Sequence, residues 1–115
     1  MFNFEKLEVW QKSVAFAGLI YRLTRDFPVD ERFGLSNQIR RAATSISANI
    51  AEGAARSPAD FAKFIGYATG SLYEVITHAT VARNEGFLIG QGYEQLYRDA
   101  DEISRMLSGL RKSLE

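Results

Sequence analysis

The 115-residue chain has no cysteine. That excludes disulfide staples, thiolate metal sites and thiol nucleophiles, and it is compatible with a reducing compartment. There is a single histidine, whereas zinc sites draw on about three or four protein ligands. Net charge is missing too: 14 basic and 14 acidic residues cancel, so no overall field pulls the chain towards nucleic acid or membrane. No stretch approaches the roughly 20 apolar residues that span a bilayer. The opening MFNFEKLEVWQKS lacks the basic start and apolar run of a signal peptide. Neither a tandem repeat nor a low-complexity tract nor a long linker divides the sequence. These absences predict a soluble cytoplasmic protein, a single domain over residues 1–115, with no membrane partner and no cofactor.

What is present has the makings of a globular chain: 46% hydrophobic and 24% charged residues, enough length to bury one core. The hydrophobic period is helical throughout. A first helix is expected from about Leu7 to Asp26, preceded by Phe2 and Phe4 laid against the bundle. It carries two apolar stripes, Leu7, Trp10, Val14, Ala17 and Tyr21, and Val9, Phe16, Ile20, Leu23 and Phe27. One stripe can face a core, which leaves the other in want of a cover. Phe27-Pro28 ends this helix, because the residue before proline is pushed out of the α region.

A second helix is expected from about Phe33 to Ser57, with Asp30 as its N-cap, and with Leu35, Ile39, Ala42, Ala43, Ile46 and Ile50 on its inner face. Glu52-Gly53 reads as a weak point near its far end. Ser57-Pro58-Ala59-Asp60 is the sharpest boundary: serine caps, proline takes the first helical position, and Asp60 follows at the third. The third helix should run to about Asn84. Its Ala62, Gly66 and Gly70 form a small-residue row expected to pack closely on the alanine-rich second helix. After Asn84-Glu85-Gly86, a fourth helix carries Leu96, Ala100, Ile103, Leu107, Leu110 and Leu114 at alternating steps of four and three. Four such helices joined by short turns predict an all-α, up-down-up-down four-helix bundle.

Beside the apolar seam of the second helix lies a polar row, Gln38, Arg41, Ser45, Asn49 and Glu52. With Ser71 and Glu74 on the third helix, this row is expected to be a structural network that fixes register between neighbouring helices or protomers. An acid-base reading of the same carboxylates has no nucleophile, metal set or phosphate loop beside it, so no catalytic residue is assigned. Glu74 and His78 stand four apart, but two ligands are too few for a metal.

Taken together, LEVWQKS, FGLSNQIRRAATSISANIAEG and SPADFAKFIGYATGSLYE resemble the bacterial four-helix bundle proteins encoded in intervening sequences of large-subunit ribosomal RNA genes. The resemblance reaches to about Leu88, and the last helix matches in pattern only. Ser47 departs from it, since relatives often have proline there. The family resemblance implies a bundle that assembles as a ring, a homopentamer. The accessory variability determinant of diversity-generating retroelements is similar, and there the ring has a basic surface that binds nucleic acid and a reverse transcriptase.

From Glu31 to Arg56 there are four arginines against two glutamates. Arg32, Arg40 and Arg56 are therefore the candidate nucleic-acid contacts, since guanidinium forks suit phosphate oxygens. Arg40 and Arg41 point about 100° apart. Arg40 reads as the freer of the two, whereas Arg41 is expected to pair with Glu74 or Glu52. Trp10 and Tyr21 offer faces for base stacking, though first-helix aromatics serve more often in a core or an interface. Two function classes result, neither of them enzymatic. One is an oligomeric module that binds RNA or DNA, or a nucleic-acid-processing protein, through a basic surface. The other is a purely structural or protein-interaction module.

Overall fold

Apolar residues at steps of three and four decide which face of each helix turns inward. The computed structural model describes every residue from Met1 to Glu115. Helix α1 spans Glu8–Thr24, α2 Leu35–Ala54, α3 Pro58–Asn84 and α4 Gly90–Ser113, with 3-10 turns at Asn3–Lys6 and Val29–Glu31 and no strand. Connections are short, so each helix runs back along its predecessor. Helix α1 packs on α2 and α4, α3 packs on α2 and α4, and the Cα atoms of the diagonal pairs stay more than 8 Å apart. The result is an all-α four-helix bundle, 42 × 23 × 22 Å.

Of the two α1 stripes, the core takes Val9, Phe16, Ile20 and Phe27. On the other, Trp10 is half-buried with Phe4 edge-on to it at 5.2 Å, while Val14 and Tyr21 stay 45% and 44% exposed. Phe2 stacks on Phe4 but is mostly open to solvent. On α4 the expected seam is buried from Leu96 to Leu107, and Leu110 and Leu114 pack against its edge.

Helix ends follow local chemistry. Ser57 Oγ accepts the Asp60 N–H, with Pro58 in the first turn of α3. At the other end of α3, Gly86 adopts φ +80°. Its N–H bonds the Arg83 carbonyl and the Phe87 N–H bonds that of Ala82, the paired reverse bonds that close a helix on a left-handed residue.

Helix α2 is shorter than its pattern suggests. Asp30 does not cap it. The chain after Pro28 makes a 3-10 turn over Val29–Glu31, and Gly34 separates that turn from the helix. Glu31 supplies the cap from its carboxylate, accepting the Leu35 N–H at 3.3 Å. The expected role of the small residues is also displaced. Helices α2 and α3 do make the most extensive contact, but the close point is Gly53, where a Cβ would fall 2.6 Å from Phe64 Cβ and 2.9 Å from Phe61 Cδ1. Gly70 faces open space, and Gly66 looks towards the Arg111 guanidinium of α4. The bulky Phe61 and Phe64 sit on the α2 side of α3, so the glycine had to come from α2.

Candidate nucleic-acid interface

The end of α1, the turn after it and the first turn of α2 form one corner. Thr24 is buried there and its Oγ1 donates to the Ile20 carbonyl at 2.7 Å, the usual back-bond of a helical threonine. The free side of that hydroxyl accepts Arg40 Nε–H at 2.8 Å. Arg40 Nη2 reaches the Tyr21 carbonyl at 3.4 Å, and its guanidinium lies 4.7 Å from the Tyr21 ring centre. Arg40 is thus the anchored arginine and Arg41 the free one, the reverse of the sequence expectation. The Arg41 side chain is exposed and makes no hydrogen bond or ion pair within the chain; the bond from Thr44 Oγ1 goes to its carbonyl. The antiparallel return of α2 explains the inversion: it lays Arg40 against the end of α1 and turns Arg41 about 100° away.

A groove of about 280 Å³ opens beside Arg40, lined also by Arg25, Arg32 and Ser36 over Phe27 and Pro28. The Arg32 guanidinium stands 5.3 Å from the ring of Phe33. None of the three arginines has a carboxylate within ion-pair distance; the chain's pairs are Lys12–Glu102, Arg56–Glu52, His78–Glu74 and Arg105–Asp101. Arg25 had no sequence signal beyond its place at the end of the first helix, where an antiparallel neighbour brings the start of α2 alongside. Arg56 does not belong to this group. It sits past the far end of the 20-residue α2, about 24 Å from Arg40 along the helix at 1.5 Å per residue. There it pairs with Glu52 at 3.5 Å and covers the Phe64 ring at 4.7 Å.

The polar row of α2 does not form the expected network within the chain. One bond crosses between helices, Ser45 to Ser71 at 2.6 Å. Asn49 Nδ2 turns back to the Ser45 carbonyl at 2.8 Å, and Glu52 is held by Arg56 on the same side of the molecule. Glu74 lies 3.8 Å from His78 Nε2 one turn along α3. Gln38 and Arg41 are exposed and have no polar partner in the chain. Short side chains at positions 45 and 71 can meet where α2 and α3 are close. Longer ones at the margins of that contact find water first.

A second groove, about 330 Å³, runs along the α1–α4 seam between Phe16, Leu19 and Ile103. Lys12 Nζ donates to Glu102 Oε1 across it at 2.7 Å. That hydrogen bond, and then the Glu102 charge, raise the Lys12 pKa above its ordinary 10.5. No cluster of three or more histidine, aspartate or glutamate side chains comes together as a metal site, and no helix is long and apolar enough to cross a membrane.

The fold and this corner define a small helical-bundle protein with a cationic groove. The family model of the 23S rRNA-intervening sequence proteins matches residues 5–109. The chain belongs to that family. It is similar, at 30% identity and a TM-score of 0.83, to the crystal structure of a protein of unknown function from the S23 ribosomal protein family of Bacteroides thetaiotaomicron VPI-5482. The likeness covers 90% of this chain and 95% of that one. No curated protein matches the chain.

Proposed function

We propose that the protein is a non-enzymatic, self-associating bundle module that contacts RNA phosphates through the Arg25, Arg32 and Arg40 corner. The observation that carries this reading is the grouping of three arginines on one groove with no carboxylate paired to any of them. A guanidinium without an anionic partner is suited to a phosphate oxygen. Arg56, neutralised by Glu52, is left out. Likeness to the accessory variability determinant, with its ring and its nucleic-acid surface, is part of the same proposal.

Fluorescence anisotropy with a mixed-sequence, single-stranded RNA tests it. Binding should weaken steeply with salt, and the slope of log K against log salt should become shallower by about 0.7 for each contacting arginine removed. Replacing Arg25 and Arg32 together by alanine should cost most of the affinity, and Arg56→Ala should cost little. An unchanged isotherm for the double variant removes the site.

A second reading, a protein-interaction or purely structural module, is favoured by one observation. The α1 face bearing Val14 and Tyr21 is left partly open by the chain's own helices. Absence of any RNA binding at low salt, with self-association intact, selects it.

A further inference from the structure

Building on the RNA reading above, we propose that the groove between the end of α1 and the start of α2 takes the terminal phosphomonoester of a nucleic-acid strand, not a run of internal phosphodiesters.

Size and charge both point that way. The groove holds about 280 Å³, just under the roughly 300 Å³ at which ordinary small-molecule pockets begin. It has room for a compact group at its arginine-lined floor. Arg25, Arg32 and Arg40 all line that small space. A phosphomonoester concentrates about −1.5 to −2 charge and three acceptor oxygens at neutral pH, whereas internal phosphates carry a single charge each and call for cations spaced along a track. No track leads away along α2: Arg41 points elsewhere, and Arg56 is a helix length distant and paired with Glu52.

The site is also built in advance. Arg40 is held by Thr24 and the Tyr21 carbonyl through Nε and Nη2, which leaves N–H groups of its fork for a ligand. Ser36 is only 6% exposed, lines the groove and has no hydrogen-bond partner in the chain. Its hydroxyl keeps access to the groove and is free to donate to a phosphate oxygen. At the start of α2 the Leu35 N–H is taken by Glu31, whose negative charge offsets the positive end of the helix dipole there. Asp26 and Asp30 lie nearby on the surface and form no ion pair with these arginines. Phe33, 86% exposed beside Arg32, offers a flat apolar face next to the phosphate position. That face suits a stacked terminal base, which favours a strand end over a phosphorylated protein.

The test uses the full chain and three mixed-sequence RNA decamers of identical sequence. One has a 5′-phosphate, one a 3′-phosphate, and one hydroxyls at both ends, each measured by anisotropy at low salt. One phosphate-ended strand should bind at least about tenfold tighter than the hydroxyl-ended strand, the size expected of a charge-assisted contact set. Which one gains tells which strand end is read. The gain should vanish in the Arg25→Ala/Arg32→Ala variant, whose exposed positions leave the helical circular dichroism unchanged, and should shrink in Ser36→Ala. It should fade as the pH falls below about 6, where the phosphate takes up its second proton. Equal binding of all three strands overturns the terminal-phosphate proposal while RNA binding stands. Binding of none overturns the RNA reading itself. A phosphoserine peptide bound as tightly as the phosphorylated strand reassigns the groove to proteins and overturns the nucleic-acid claim.

Discussion

Gly53 and Gly70 are both helical glycines, and they differ in what stands opposite. Gly53 faces the Cβ of Phe64 at 2.6 Å from where its own would be, an atom tied to the α3 backbone that cannot swing aside. Gly70 faces nothing within 4 Å. Gly53→Ala should therefore destabilise the bundle by about 1–3 kcal/mol through overpacking. Gly70→Ala should stabilise it by up to about 1 kcal/mol through helix propensity. Denaturant unfolding of the two variants checks both signs, and the same sign for each would contradict this packing. Arg40 and Arg41 make a similar pair of neighbours, one anchored on Thr24 and Tyr21, the other in water. Residue type alone does not separate them, because the distinction is made by the helix that lies across from each.

Among the elements, α1 and α4 are held together differently from α2 and α3. Gly53 and the Ser45–Ser71 bond mark a close contact between α2 and α3. The α1–α4 seam leaves a groove bridged by Lys12 and Glu102. Lys12 binds its proton more tightly in the folded chain than in the unfolded one, because its pKa is raised. The stabilisation from this pair is therefore fully present below the ordinary lysine value and is lost as pH rises through the raised, folded value. Glu102→Gln should lower the unfolding midpoint by a constant amount from neutral pH to about pH 9, and the gap from the unmodified chain should narrow above about pH 10.5. A gap that stays constant to the alkaline limit would show that the contact is not ionic. Both partners are half-exposed, so high salt should narrow the gap as well.

At the scale of the molecule, the outer face of α1 is left partly uncovered by the chain's own helices. Val14 and Tyr21 leave apolar area on a helix whose other stripe fills the core, and the exposed Gln38 and Arg41 of α2 have no partner in the chain. Self-association of the proposed kind would bury such a face. Sedimentation should give a mass that is a multiple of 12.9 kDa, five-fold for the homopentamer that the family resemblance implies, and Val14→Lys should shift it towards the monomer without loss of helix. A single species at 12.9 kDa would overturn the assembly.

Hydrophobic period, proline and caps are local, and they sufficed for four helices, the Ser57-Pro58 boundary, the α4 seam and membership of the bundle class. The family resemblance rests on the same local signals, and residues 5–109 match its model. Tertiary structure alone decided which α1 stripe went inward, that Glu31 and not Asp30 caps α2, and that Gly53 and not Gly66 or Gly70 marks the close approach. It likewise brought Arg25 into a groove with Arg32 and Arg40 and left Arg56 behind. Each of these depends on what another helix places opposite a residue, and spacing along one chain records the face of a helix but not its neighbour.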